Sequence, residues 1–303
     1  MSAGPNTGDR PLISVITVTR NLIEAGRKAA VQETLRCVQS QTFRRMEHVI
    51  WDGESTDGTQ GLLEDVILDI ASTADHIPIR YFCGPDKSLF DAMNKAVDLS
   101  AGEYVLFLNS DDLLPGPDCL QQVVNLIGER RPDFIYGETV FVEEDGRKRH
   151  ARRLTLKSIL QRMPFGHNAM LVRAEVFRKL EGHDLQFRSV ADYDMILRMI
   201  QAGYRSLRVQ VPLSVFRKGG VSADTVAAGA EMARCWEKNY ARYCDMSAYS
   251  HDERVEWYGK GQLPVRLSLA ILRQSLTQPL IARAAIYSLS KTLRRSLQPW
   301  RKF

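Results

Sequence analysis

From Ile13 to about Tyr136 the chain alternates short β-branched runs with stretches of helical periodicity, and this alternation limits what it can fold into. ISVITVT (13–19), HVIWD (48–52), IRYFC (79–83) and YVLFLN (104–109) are rich in β-branched and aromatic residues, the pattern of strands buried on both faces. Between them, residues 24–40, 59–71, 88–99 and 117–130 place apolar side chains at helical spacing, as with Leu89, Ala92, Met93, Ala96 and Val97. Strands alternating with helices build βαβ units, hence a mostly parallel sheet flanked by helices and an α/β, Rossmann-like fold. In open sheets of this kind ligands bind beyond the carboxyl ends of the strands.

After residue 133 the alternation gives way to DFIYGETVFV, a loop around Glu143–Gly146, a basic stretch at Lys148–Arg153 and mixed elements up to Val215. No Pro/Gly/Ser linker interrupts them, so they are expected to extend the same sheet in antiparallel fashion. The expected organisation is one domain over 1–222 and a helical extension over 223–303. Within the extension, 223–245 is helical, and 264–298 forms two amphipathic helices broken at Pro279.

Composition narrows the class. With 303 residues, 44% of them hydrophobic, the chain can bury a full core. Its five cysteines are odd in number and make no CxxC pair, which argues against a disulfide framework and a zinc site and fits a reducing cytosol. The first residues lack a signal-peptide pattern, and no run is long and apolar enough to span a membrane, so a cytoplasmic protein is expected. The net charge of +5 is mild, and no nucleic-acid partner is expected. The charge is uneven, however: from Trp257 to Phe303 there are nine Lys/Arg and no Asp or Glu. Val265, Leu269, Leu272 and Leu276, then Ile286, Leu289, Leu293 and Leu297, form apolar stripes, with Arg283, Lys291, Arg294 and Arg295 on other faces. Such a stripe suits a core or a partner helix, and the absence of acids turns the expectation toward an anionic membrane surface over 264–303, peripheral to the inner face of the plasma membrane. An oligomer stays open.

Four expected strand ends are polar and acidic: Thr19-Arg20-Asn21, Asp52 to Thr59, Asp86-Lys87, and Asn109-Ser110-Asp111-Asp112. Two adjacent carboxylates at the end of an apolar strand repel, and burial raises their pKa values, so Asp111 and Asp112 ask for a cation or for water. Asp52, at the last strand position, needs a donor such as a nucleobase or ribose supplies. No GxGxxG lies near the first strand, which argues against a dinucleotide site.

ISVITVTRN, VIWDGESTDGT, PDKSLFDAMNKAVDLSAGEYVLFLNSDD and VADYDMILRM, in this order and at these distances, resemble the family 2 glycosyltransferases with a GT-A fold, over residues 12–222. DxSLFDAMNKA followed by FLNSDD resembles the branch that builds bacterial exopolysaccharides, colanic acid-like polymers and lipopolysaccharide O-chains. The resemblance implies that Thr19, Asn21 and Asp52 bind the nucleotide. Asp86 and Lys87 would face nucleotide and donor sugar. Asn109-Ser110-Asp111-Asp112 stands at the family's DxD motif, with Asp111 and Asp112 holding Mn2+ or Mg2+. The family's usual DDGSTD loop here has Gly53 in place of its second carboxylate, which leaves the base open. Asp192 in ADYD corresponds to the general base of an inverting displacement, with Asp194 orienting or capping. His167 in PFGHNAMLVR would lie near acceptor and diphosphate, and Arg217 and Lys218 in FRKGGVS would suit a lid over phosphates.

The implied activity is transfer of a sugar from a nucleoside-diphosphate donor, with UDP-sugars favoured, to a lipid-linked or growing glycan. Two other readings stay open: a GT-A-like nucleotidyltransferase, which would want a Gly/Arg/Lys-rich loop after the first strand, and a non-catalytic scaffold that binds glycan or membrane.

Overall fold

The computed structural model describes residues 10–143, 147–150, 155–217 and 225–296. The chain packs as two compact units. The first joins Met1–Ala151, Phe165–His183 and Arg205–Lys218, and the second joins Arg152–Pro164, Asp184–Tyr204 and Gly219–Phe303.

The first unit carries an eight-stranded sheet. β1 (Ile13–Thr19), β2 (Met46–Asp52), β3 (Ile79–Cys83) and β4 (Tyr104–Phe107) are linked by α1 (Lys28–Gln39), α2 (Thr59–Ala71) and α3 (Leu89–Leu99). α4 (Cys119–Ile127), β5 (Phe134–Val142), β6 (Lys148–His150), β7 (Met170–Arg173), α5 (Ala174–Lys179) and β8 (Ser206–Arg217) complete it. The strand order is β3-β2-β1-β4-β7-β5-β6, with β8 paired to β5. β1 to β4 are parallel to one another, and β7 runs antiparallel to both β4 and β5. The later strands therefore extend the sheet as the sequence indicated, except that β8 pairs parallel with β5. Gly137 marks an irregularity in that pairing, and a Cβ there would lie 2.6 Å from Val211 O.

All seven residues of β1 are buried, and the main core fills one side with Ile13, Val15, Leu106, Leu108, Leu120 and Leu171. A second cluster of Leu35, Ile50, Leu63 and Ile70 packs α1 and α2 together over β2. α1 begins four residues later than its periodicity suggests. Asn21 (φ 46°) and Gly26 (φ 68°) are left-handed, and residues 21–27 close on themselves through the Arg27 N–H to Leu22 O bond of 2.7 Å. α4 stops at Gly128, also left-handed at φ 49°.

Register sets the site. Thr19 is level with Asp52 and Asp52 with Cys83, so β1, β2 and β3 end level, while β4 ends at Phe107 opposite Ile16, three residues short of the end of β1, and its following loop runs on from there. A buried cross-link holds three of them together. Thr17 Oγ1 donates to Leu108 O at 2.9 Å and accepts from His48 Nε2 at 2.9 Å, which fixes the His48 tautomer and leaves Nδ1 without a hydrogen-bond partner.

The second unit is helical: α6 (Ala191–Gln201), α7 (Thr225–Tyr240), α8 (His251–Lys260), α9 (Val265–Gln274) and α10 (Pro279–Ser296). Trp236 Nε1 donates to Tyr193 OH at 2.9 Å, and Tyr240 OH donates to Leu160 O at 2.8 Å, so α6 and α7 share a polar core with residues 156–160. α8, which the sequence reading missed, starts on a capping box of Ser250 and Glu253. α10 begins at Pro279, at the expected break.

The apolar stripes of α9 and α10 face the opposite way to a core seam. The packed faces are Leu267, Ser268 and Ile271 against Ile281, Ala284, Ala285 and Ser288, where small residues let the helices approach and the Ser268 and Ser288 hydroxyls meet at 2.9 Å. Leu269, Leu276, Ile286 and Leu293 point outward, and Leu297 lies outside the described residues.

His48 makes the sheet acid-sensitive. Burial lowers its pKa from 6.5 to about 3, so the folded imidazole stays neutral where the unfolded one takes a proton. Its contribution to stability is complete above pH 6.5 and is lost as the pH falls from there toward 3, by ~3 kcal/mol between pH 7 and 4. Urea denaturation of His48→Gln should show a pH slope shallower by up to about one proton over this range. An unchanged slope would show that His48 is protonated in the folded state.

Candidate active site

The site is built from the loops that follow β1, β2, β3 and β4 in the first unit. Asp52 is fully buried, and the chain satisfies it: Thr19 Oγ1 and Ser55 Oγ donate to Oδ2 at 2.7 and 2.8 Å, and the Ser55 N–H donates to Oδ1 at 2.7 Å. The donors expected from a nucleobase or ribose are thus supplied by neighbouring residues, because parallel register puts Thr19 beside Asp52. Asn21 then clamps the two loops together. Its N–H donates to Ser55 Oγ at 2.8 Å, and its Oδ1 accepts from the Thr56 N–H at 3.0 Å. Thr59 Oγ1 accepts from the Leu22 N–H at 2.8 Å and donates to Asp57 Oδ1 at 2.6 Å, at the start of α2.

Asp86 leans over Gly53. A Cβ at residue 53 would collide with the Asp86 carboxylate, so the glycine that departs from the DDGSTD pattern makes room for a carboxylate from the next loop. Burial raises the pKa of Asp86, while Trp51 and Arg20, the latter 3.5 Å away, pull it down. Lys87 is exposed, and its N–H donates to Asp91 Oδ2 at 2.8 Å in the first turn of α3, which Ser88 caps.

The two aspartates after β4 separate sharply. Asp111 is partly exposed and sits 3.3 Å from Arg27. Asp112 is fully buried; its Oδ2 accepts from Asn109 Nδ2 at 3.0 Å and Asn168 Nδ2 at 2.9 Å, and its Oδ1 has no hydrogen-bond partner. Burial pushes the Asp112 pKa up to about 6 against the Asn168 hydrogen bond, with Asp111 adding to the rise. The expectation that only a cation or water balances this pair needs correction, since Arg27 answers one charge and amides answer part of the other.

The orphaned Oδ1 remains an acceptor without a donor, the arrangement that a cation completes. Asn109, Asp111 and Asp112 are oxygen donors of the kind a hard divalent cation takes, so the residues fit such an ion. Among the described residues no three His, Cys, Asp or Glu side chains form a metal-holding group. A cation held here would need further oxygen donors from a ligand or water.

Ser110 is buried between these residues, and His167 Nε2 lies 3.4 Å from Asn109 Oδ1. The loop is pinned on two sides: Thr34 Oγ1 donates to Asp112 O at 2.9 Å, and Leu113 and Val215 exchange backbone bonds. Arg217 ends β8, and Lys218 lies outside the described residues. In the second unit, Asp192 is half-buried in the first turn of α6 and its Oδ1 accepts from the Tyr193 N–H at 2.7 Å. Asp194 is fully buried, and accepts from Arg198 Nε at 2.7 Å, Lys238 Nζ at 2.9 Å and Asn239 Nδ2 at 2.8 Å, which ties α6 to α7.

Sequence reasoning missed Arg27 and Asn168. Asn168 stands in the same HNA element as His167, and Gly166, where a Cβ would lie 2.5 Å from Asn168 Oδ1, leaves space for its side chain. Arg27 follows the left-handed Gly26, a turn signal that was legible but was absorbed into the helix.

Comparison with known proteins agrees with this geometry. The family model for glycosyl transferase family 2 matches residues 14–189. A PGL/p-HBAD biosynthesis glycosyltransferase of Mycobacterium tuberculosis is 32% identical over 192 residues, covering 62% of this chain and 69% of the relative. In fold the chain is similar to S. aureus TarS in complex with UDP-GlcNAc, with a TM-score of 0.62, 15% identity, and 94% and 92% of the two chains covered. It is also similar to the mannosyltransferase PcManGT of Pyrobaculum calidifontis in complex with GDP-Man and Mn2+, with a TM-score of 0.60, 18% identity, and 97% and 88% covered. With a mixed, mostly parallel sheet of GT-A type and the acidic strand ends in place, the chain belongs to the family 2 glycosyltransferases.

Proposed function

We propose that this glycosyltransferase moves a sugar from a nucleoside-diphosphate donor, a UDP-sugar by preference, to a lipid-linked or growing bacterial surface glycan, with a divalent cation and inversion at the anomeric carbon. The observation that carries the reading is the unpartnered Oδ1 of buried Asp112 beside Asp111, in the loop that follows β4. A cation and a diphosphate would complete that cluster. The TarS structure holds UDP-GlcNAc and the PcManGT structure holds GDP-Man with Mn2+, which supports this donor chemistry. The M. tuberculosis relative is named as a PGL/p-HBAD biosynthesis glycosyltransferase, which supports the transfer of a sugar. The proposed location is the cytoplasm, at the inner face of the plasma membrane, with 264–303 toward anionic lipid.

In this reading Thr19, Asn21 and Asp52 hold the loops on which the nucleotide rests, and Asp86 and Lys87 line its ribose and sugar side. Asn109, Ser110, Asp111 and Asp112 face the diphosphate. Asp111 and Asp112 would hold Mn2+ or Mg2+, which would supply positive charge for the leaving diphosphate. His167, Arg217 and Lys218 attend the acceptor or diphosphate side. Asp192, in the first turn of α6, takes the proton from the acceptor hydroxyl. Asp194 positions α6 through Arg198, Lys238 and Asn239.

A thermal-shift panel of UDP-, GDP- and dTDP-sugars with and without Mn2+ tests the donor class, since a bound donor raises stability by RT ln(1 + [L]/Kd). The expected result is a shift that needs both a UDP-sugar and Mn2+; no shift with any donor sinks the reading.

Metal coupling has its own test. By calorimetry, Mn2+ should strengthen donor binding to the wild type, and Asp112→Asn should abolish that enhancement. Donor affinity unchanged by EDTA in the wild type would remove the metal from the site.

Asp192→Asn should lower single-turnover rate by ~10²–10⁴-fold with donor affinity nearly unchanged. NMR of the wild-type product's anomeric proton should show inversion. Turnover within threefold of wild type, or a product that keeps the donor's configuration, overturns the assignment.

A further inference from the structure

No helix among the described residues is long and apolar enough to cross a membrane. α9 and α10 nevertheless expose a surface that water does not favour. Leu276 is 74% exposed, Ile286 54% and Leu293 50%, with Leu269 and Tyr287 also exposed. Single exposed apolar residues are ordinary on any protein surface. Here four of them lie on the outward sides of two helices that pack against each other, and Leu276 lies in the turn that joins the two.

Arginines share these faces. At 100° per residue, Arg266 and Arg273 stand beside Leu269 on α9, and Arg283 and Arg294 run together along one side of Ile286 and Leu293 on α10; all four are exposed. Neither helix contains an Asp or Glu. A second copy docking face to face would set arginine against arginine with no countercharge. A nucleic acid would satisfy the arginines and leave the leucines wet. An anionic bilayer accepts both, because apolar side chains enter the boundary below the headgroups while arginines reach up to the phosphates.

We propose that the outward face of α9 and α10 docks this protein on an anionic phospholipid bilayer. The inference deepens the reading of a lipid-linked acceptor, which would be anchored in the same bilayer, yet it stands on a different surface from the donor site and is measured separately.

The full chain should cosediment with vesicles of phosphatidylglycerol and phosphatidylcholine at low salt. It should be largely released at 1 M NaCl, where the screening length is about 3 Å, and should bind phosphatidylcholine alone weakly. Arg273→Ala with Arg283→Ala should lower the partition coefficient about 30-fold, the equivalent of about 1 kcal/mol per arginine. Ile286→Glu with Leu293→Glu should abolish partitioning, and both double variants should keep wild-type donor affinity and melting temperature, since the altered residues are exposed.

Absent sedimentation at low salt, equal binding to neutral vesicles, or indifference to both double variants each overturns the proposal. So does a dimer in sedimentation velocity that Ile286→Glu dissolves in a protein without vesicle binding, which would make the face a self-association surface. Vesicle binding with no response to any donor would leave this inference standing and remove the donor reading; the reverse pattern would do the opposite.

Discussion

The candidate site depends on the buried carboxylate of Asp52. A charge with no exposure is costly unless several donors meet it, and Thr19 and Ser55 provide three hydrogen bonds. These bonds do more than solvate the charge. They fix the loop after β2 against the loop after β1, so that Asn21 and Glu54 both hold left-handed backbone, at φ 46° and 56°. Such conformations cost on the order of 1 kcal/mol each in a non-glycine residue and persist where surrounding bonds determine them, as the Asn21 clamp on Ser55 and Thr56 does.

The end of β4 follows the same rule with an incomplete result. Asp112 is as buried as Asp52, but it receives two amide donors on one oxygen and none on the other. Burial raises its pKa to about 6. Local rules of satisfaction are broken most often where function needs them broken. The surrounding structure keeps the strained arrangement in place: Thr34 holds the Asp112 carbonyl, and β8 grips Leu113.

Much of this was legible in the sequence because it is local. Apolar runs gave β1 to β4 nearly residue by residue, and the acidic strand ends followed from their positions. What escaped depended on contacts across long stretches of chain. The parallel pairing of β5 with β8 joins residues 134–142 to 206–217, and no local pattern encodes it. Asn168 reaches Asp112 across 56 residues. Periodicity found the α9 and α10 stripes, but their direction was decided by Ser268, Ala284, Ala285 and Ser288, since small residues allow close helix packing and leave the larger side chains outside. α8 was missed because its apolar pattern is weak, and its capping box and its C-terminal Gly261 at φ 57° define it instead.

The one departure from the family loop also becomes intelligible in three dimensions. Read along the chain, Gly53 looks like a lost carboxylate in the DDGSTD pattern. In the folded sheet, Asp52 is level with Cys83, so the loop after β3 passes over residue 53, and the Asp86 carboxylate takes the space a side chain would fill. The negative charge at this rim has moved from one loop to the next. It has also changed partner: Arg20, at the end of β1, stands 3.5 Å from Asp86. A carboxylate on residue 53 itself would have to displace Asp86, so the glycine and the aspartate form a single steric unit, and a change at either position must be judged by its effect on the other.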